Sequence, residues 1–305
     1  MRILITGGAG YVGYSLVKKL IEDADAVHSV TIYDNLSRKN YSFFTEAQFN
    51  HKPIKLIHRD ILDGRSLVKA LENIDCVIHL AAKVTTPYSD TEAHLFDQVN
   101  HWGTAHLADI LEDSPVKKVI YLSSISVYGN SVAPVDESSP TNPMSFYGIS
   151  KLNGEKQINR LSENKNVYIL RSANVYGYNP SYRIDAVINR FLFQANFLGR
   201  ITLNGRGDQY RSFIHVNKLA SAIRDVIDID LPTGIYNIAE HNMMIKEVAE
   251  QIASLYPSLE MLQSNLNMPM RNISTILPGK IFDYISLADI SFETELQNFK
   301  SQFSF

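Results

Sequence analysis

Tyr147 and Lys151, four residues apart in Tyr147-Gly-Ile-Ser-Lys151, can do proton chemistry if one helix carries both. That separation puts their side chains on a single helical face. A lysine ammonium there favours phenolate over phenol, so a group that ordinarily titrates near pH ~10 becomes a base closer to neutrality. Ser124 ends the apolar run Lys118-Val-Ile-Tyr-Leu122 and its Ser-Ser continuation, where its hydroxyl can hold an alcohol for proton transfer. A second set of residues suits a nucleotide. Gly7, Gly10 and Gly13 follow the apolar stretch 2–6, with Tyr11 and Val12 inside the same loop. Gly7 permits a tight turn, Gly10 lets backbone N–H groups approach a pyrophosphate, and Gly13 lets the next helix close on the strand. Asp34 ends the strand-like Ser29-Val-Thr-Ile-Tyr33. A carboxylate at that point accepts both hydroxyls of an adenosine ribose and repels a 2′-phosphate, which favours NAD over NADP.

These groups need a scaffold, and the chain's pattern supplies one. Apolar strands are predicted at about 2–6, 29–33, 54–57, 75–80, 117–123 and 166–171, and helices at about 11–22, 64–72, 92–112 and 145–163. Strands alternating with helices imply an α/β, Rossmann-like, doubly wound parallel sheet, with ligands beyond the carboxyl ends of its strands. After residue 172 the regularity loosens. A helix is expected at 184–198, a short strand at 200–203, and a strand–helix–strand unit over 213–238. We expect 1–173 plus 213–240 to form the NAD-binding domain, and 174–212 plus 241–305 a smaller, C-terminal substrate-binding domain.

Composition narrows the setting. A hydrophobic fraction of 45% and a charged fraction of 20% are those of a globular protein, and a net charge of −3 with scattered Lys and Arg argues against a nucleic-acid surface. No apolar run reaches the ~18–20 residues of a membrane helix. The single cysteine, Cys76, lies in an apolar strand and implies packing in a reduced, cytoplasmic compartment. His79 and His215 are read as structural, and no cluster has metal-site spacing, so no metal is expected.

Taken together these motifs resemble the extended short-chain dehydrogenase/reductase family, in its nucleotide-sugar epimerase/dehydratase branch. The resemblance covers about 1–240. Tyr33-Asp-Asn-Leu-Ser37 is similar to the ribose-binding strand end of the UDP-galactose 4-epimerases, and implies that Asp34 and Asn35 meet the cofactor. It implies that Asp60 and Ile61 flank adenine, and that Leu80, Ala81, Ala82 and Lys83 lie along the dinucleotide, with Asn100 and Ser123 nearby. Ser124, Tyr147 and Lys151 map to the catalytic set, with Tyr147 as base. Arg171-Ser-Ala-Asn-Val-Tyr-Gly177 resembles the loop that meets the sugar nucleotide and places Asn174 there. Arg211, in Gln209-Tyr-Arg-Ser-Phe-Ile-His-Val216, corresponds to the diphosphate-binding arginine, and Arg271 is a second phosphate candidate. Lys83, Ser126 and Arg183 complete the expected substrate contacts. The family commonly forms homodimers through helices matching 92–112 and 145–163. Ser212 and Asn217 stand where the family usually has Asp, and the usual Leu-Gly-Trp-x-Pro-like C-terminal segment is missing.

Residue chemistry also discriminates among the branch's reactions. A 4,6-dehydratase needs an Asp-Glu pair directly after the strand-end hydroxyl residue; here Ile125 and Ser126 stand there. The family's decarboxylases carry glutamate where Ser126 stands. A C4 epimerase acting through a transient 4-keto sugar needs no further acid, and is the expected function. The alternatives are a C4 dehydrogenase or 4-keto reductase with net NAD(H) turnover and, from another class, a noncatalytic dinucleotide sensor. Residues 177–189 resemble a subgroup whose nucleotide sugars include GDP-heptoses, so UDP- and GDP-linked substrates both stay open.

Overall fold

The computed structural model describes residues 1–22, 27–46, 49, 54–84, 92–264 and 271–303. Seven strands form one parallel sheet: β1 (Arg2–Thr6), β2 (Ser29–Asp34), β3 (Ile54–His58), β4 (Cys76–His79), β5 (Lys118–Ser124), β6 (Asn166–Ser172) and β10 (Gly234–Ile238), in the order β10-β6-β5-β4-β1-β2-β3. Their near-continuous apolar runs reflect burial on both faces. Ile3, Leu4 and Ile5 of β1 are wholly inaccessible, each such side chain worth roughly 1.5–3 kcal/mol. The order reverses direction at β1/β4, and the cleft opens at the carboxyl ends beside that switch point.

Helices α1 (Tyr11–Glu22), α2 (Ser42–Thr45), α3 (Gly64–Ala70), α4 (Ala93–Phe96), α5 (Gly103–Glu112), α6 (Phe146–Asn159) and α8 (Val216–Asp228) connect and flank this sheet. The helix expected as one piece over 92–112 is interrupted between α4 and α5 by a π-helical segment, Asp97–Trp102. The wider turn places Asn100 inside the protein, where it matters for the site.

The remaining strands β7 (Asn174–Tyr176), β9 (Tyr210–His215) and β11 (His241–Met244) form a three-stranded sheet, and β8 (Arg200–Asn204) pairs with β12 (Glu260–Ser264). With α7 (Val187–Leu198), α9 (Ile245–Ser254) and α10 (Phe292–Ser301) they enclose a third apolar cluster that includes Phe191, Phe213 and Phe299. The strand at 213–215, expected to belong with the large sheet, pairs instead with β7 and β11; only β10 of that strand–helix–strand unit joins the seven. Ser212 explains one departure from the family pattern. It is fully buried and its hydroxyl donates to Asn242 Oδ1 at 2.6 Å and accepts from Thr275 N at 3.0 Å. A carboxylate could make neither the donation nor this burial cheaply.

Cys76 is fully buried in β4, and burial pushes its thiol up to about 12. Thiol reagents are therefore expected to leave the native protein unmodified and to modify one equivalent after denaturation, measured by colour release. Fast labelling of the native state would contradict the packing described.

Candidate active site

The carboxyl ends of the strands and the loops beyond them line a cleft of about 840 Å³. At its cofactor end Gly7 adopts φ +71°, and a Cβ there would fall 2.5 Å from Ala81 N, so the turn admits only glycine. Gly13 does the packing expected of it, since a Cβ would meet Gly8 O at 2.5 Å. Gly10 N donates to Gly7 O at 3.0 Å, which leaves the N-terminal amides of α1 to face an anion. Asp34 is held at the end of β2 by two backbone donors, Ala9 N at 3.0 Å and Leu36 N at 2.8 Å. Burial raises its pKa in spite of those bonds. Asn35 Nδ2 donates to Asp60 Oδ2 at 2.8 Å, which joins the ends of β2 and β3 beside Ile61. A tight turn, free helix-terminal amides and an acidic strand end fit an adenine dinucleotide.

Gly7, Gly10, Tyr11, Val12, Gly13, Asp34, Asn35, Asp60, Ile61, Leu80, Ala81, Ala82 and Lys83 all line the cleft. Two other expected cofactor contacts behave differently. Asn100 is fully buried behind the cleft wall and does not line it. Its Oδ1 accepts from Lys83 N at 2.7 Å and its Nδ2 donates to Lys83 O at 2.9 Å, so it acts by fixing the backbone of Lys83. Ser123 borders the cleft, but its hydroxyl turns inward and donates to Glu155 Oε1 at 2.5 Å. The Lys83 ammonium pairs with Glu92 at 3.0 Å.

Ser124, Ser126, Tyr147 and Lys151 meet at the other end. Ser124 closes β5 and caps the 3-10 turn Ile125–Tyr128, accepting from Ser126 N at 3.1 Å. Ser126 Oγ is buried, borders the cleft and has no hydrogen-bond partner among the described residues. Ser145 caps α6 through Gly148 N at 3.1 Å, which sets Tyr147 in the first helical turn. The Tyr147 ring stands edge-on to Phe96 at 6.1 Å.

The electrostatics differ from the expectation of a primed phenolate. Burial raises the Tyr147 pKa, and the groups pulling it down are Arg183 and a hydrogen bond with Ser124. Lys151 is itself so desolvated that its pKa falls to about 7, with Glu155 pulling it back up. A lysine that loses its proton near neutrality cannot supply a full positive charge to the phenol, so the protonation of Lys151 matters for the chemistry open to Tyr147.

Arg211 and Arg271 converge on one wall of the cleft because residues 271–273 run beside β9, where Arg211 bridges Ile273. Burial and the facing Arg271 charge lower the Arg211 pKa to about 10. Asn174 also lines this region, its Nδ2 donating to Ser212 O at 3.0 Å. Arg183 precedes α7, which begins at Val187 and not at 184, and its Nε bonds Asp185 Oδ2 at 2.9 Å. The part of 268–273 preceding Arg271 lies outside the described residues.

Sequence reading missed Arg38, Asn40 and Arg59, which line the cleft together with Asp34 and Asp60, and the clasp formed by 177–189 over the glycine loop. Tyr11 OH donates to Gly177 O at 2.6 Å, Asn179 Nδ2 donates to Tyr11 O at 2.8 Å, and Ser181 Oγ donates to Ala9 O at 3.1 Å. Asn189, at the end of the same segment, is fully buried and accepts from Gly177 N at 3.0 Å. The contacts made with Tyr11 and Ala9 bridge more than 160 residues of sequence, and no local pattern announces them.

Glu240, His241 and Glu295 each present a ligand-type atom within 4.8 Å of the others, but the Lys218 ammonium already sits there, 2.8 Å from Glu295. Among the described residues no helix is long and apolar enough to cross a membrane.

Comparisons with known proteins agree with this geometry. The chain is 32% identical over 263 residues to a human dTDP-D-glucose 4,6-dehydratase, covering 83% of this chain and 73% of that one. It is 35% identical to a putative UDP-glucose 4-epimerase of Methanocaldococcus jannaschii, covering 72% and 71%. Its structure superposes with a TM-score of 0.84 on the UDP-N-acetylglucosamine 4-epimerase of Methanobrevibacter ruminantium solved with UDP-N-acetylmuramic acid, at 28% identity over 99% of this chain and 97% of that one. Residues 3–239 match the profile of the NAD dependent epimerase/dehydratase family, and the chain belongs to that family of NAD-dependent enzymes.

Proposed function

We propose that this chain is a C4 epimerase of nucleotide-diphosphate sugars, UDP- or GDP-linked, working through a transient 4-keto sugar. The observation that carries the reading is Ile125 and Ser126 beside Ser124 and Tyr147, where a 4,6-dehydratase needs proton-transferring acids. Isoleucine cannot move a proton, so the keto sugar has no route to dehydration, although dehydratases stand among the relatives.

Gly7, the α1 amides, Asp34, Asn35, Asp60, Ile61 and residues 80–83 would hold NAD, with Lys151 reaching its nicotinamide half. When bound, NAD supplies the acceptor, and then the donor, of the C4 hydride. Tyr147 takes the C4 hydroxyl proton and later returns one, while Ser124 holds that oxygen in line. Such placement is worth much of the rate, because a ~1 Å displacement costs on the order of a hundredfold. Arg211 and Arg271 grip the diphosphate, with Asn174 and Arg183 against the sugar nucleotide. We assign 174–212 with 241–305 as the substrate-binding unit. We also assign the exposed Trp102 and Ile149, at the π-helical segment and on α6, to a homodimer seam, which sedimentation would check.

Incubation with UDP-glucose, UDP-N-acetylglucosamine and GDP-sugars, followed by chromatography, should yield the C4 epimer of one of them. Absorbance at the nicotinamide band should stay flat. A 4-keto product, or stoichiometric NADH, would overturn epimerisation in favour of net C4 oxidation or reduction.

Arg211→Met tests the diphosphate grip. Two facing guanidiniums cost the ligand-free protein stability and repay it when a dianion arrives. The variant should raise KM for the sugar nucleotide about 10–100-fold, the loss of one charged hydrogen bond. Its ligand-free melting temperature should hold or rise, measured by calorimetry.

A further inference from the structure

We propose that Glu155 is a positioning residue for the reaction: clamped by Arg171 and Ser123, its carboxylate sets the charge on Lys151 and, through Lys151, the readiness of Tyr147 to take a proton. This rests on the reading of Tyr147 and Lys151 as a working pair.

Tyr147, Lys151 and Glu155 fall at successive four-residue steps along α6 and so share one face. Lys151 and Glu155 are both nearly inaccessible, at 3% and 4% exposure, and therefore interact through protein and not through water. The Glu155 carboxylate has one available orientation. Arg171 Nε donates to its Oε1 at 3.0 Å and Arg171 Nη2 to its Oε2 at 2.7 Å, a forked pair, while Ser123 Oγ adds a third bond at 2.5 Å. Arg171 is fixed in turn from its far side. Its Nη1 donates to Tyr128 OH at 2.9 Å, and Tyr128 OH donates to Asn237 Oδ1 at 2.8 Å. Glu137 closes the chain by accepting from Asn237 N at 2.8 Å. The network ties α6 to β5, β6 and β10 directly beneath the reacting end of the cleft.

A buried ion pair is a poor way to gain stability, since an apolar pair of equal volume often does as well. Its location is better explained by what it faces. Lys151 is packed by the Tyr121 ring of β5, its Nζ 4.5 Å from the ring centre; His79 of β4 stacks on that same ring and is neutral because burial and the Lys151 charge hold it so. Tyr147 lies one turn before it on α6, with Arg183 from the 177–186 loop acting on that phenol. Arg171 of β6 stands behind Glu155. Tyr121 and Tyr147 are un-ionised in this environment, so Glu155 is the anion that opposes desolvation of Lys151.

The test follows the titration of Lys151 in the purified full-length protein by carbon-13 NMR of lysine Cε, assigned with Lys151→Met. Glu155→Gln should lower the Lys151 midpoint by about one unit, the effect of removing one nearby opposite charge. The alkaline limb of the kcat profile should move down with it, while KM for the sugar nucleotide stays within about twofold. Glu155→Gln alone leaves a buried guanidinium unpaired, so Glu155→Gln/Arg171→Met is measured beside it; with the Arg171 cation gone as well the midpoint should recover in part but stay below that of the unaltered protein, because Glu155 is the charge that acts on Lys151. An unmoved midpoint in either folded variant overturns the proposal, as does failure of both to fold, which would make Glu155 an anchor only. The NMR midpoint does not depend on which sugar reaction occurs, so it separates this inference from the epimerase assignment.

Discussion

Tyr147→Phe is expected to lower kcat by roughly 10²–10⁴, the usual contribution of a positioned general base. Affinities for NAD and for the sugar nucleotide should be almost unchanged. The substitution removes one oxygen and leaves the ring, whose edge-on contact with Phe96 and place in the first turn of α6 do not depend on the hydroxyl. On the proposed reading, Arg211 and Arg271, which line the same cleft, hold the far end of the substrate independently of it. Steady-state rates with calorimetric binding constants check both halves. Retention of more than about a tenth of kcat would remove Tyr147 from the proton transfer. Loss of binding along with rate would mean that the phenol serves mainly as a contact.

The second large effect is on stability at mildly acid pH. His79 is fully buried, with Thr6 Oγ1 2.6 Å from Nδ1 and Thr104 Oγ1 2.9 Å from Nε2. Burial, reinforced by the Lys151 charge, lowers its pKa to about 3. Burial also lowers His215 and His241. A histidine whose folded pKa lies below its unfolded value of ~6.5 takes up its proton more readily when unfolded, so stability rises with pH between the two values. Acidification below pH ~6.5 should therefore destabilise the fold, His79 alone contributing up to about 4–5 kcal/mol by pH ~3. The loss should begin above the window in which exposed carboxylates such as Asp75 and Asp63 protonate, because their folded pKa values lie below the ordinary range. Urea unfolding at pH 7.0, 6.0 and 5.0 reads it out, about these values being set by the histidine window. A flat profile from pH 7 to 5 would show that these histidines take up protons as readily in the folded state as in the unfolded one.

The parts of this protein that were legible in its residues are those whose chemistry is short-range. The glycine loop declares itself because Gly7 and Gly13 occupy positions where a Cβ would strike Ala81 N and Gly8 O. Asp34 sits at the carboxyl end of a strand whose apolar run is readable, and Tyr147 and Lys151 share a face by helical spacing alone. The six early strands and the helix at α1 follow from apolar runs alternating with amphipathic segments.

Other features depend on which distant segments meet. The π-helical segment that turns Asn100 toward Lys83 gives no signal in a helical periodicity. The inward turn of the Ser123 hydroxyl required Glu155 and Arg171 to arrive from α6 and β6.

The sequence by itself determined the nucleotide loop, the acidic strand end, the tyrosine–lysine face and the alternating architecture, since each rests on spacing within a single element. Tertiary structure alone decided that Lys151 is dry enough to titrate near neutrality, that Arg211 meets Arg271, and that the 177–189 segment grips the glycine loop. Desolvation and charge–charge contact are properties of the assembled surroundings, and strand pairing and loop packing bring those surroundings together from remote stretches of chain.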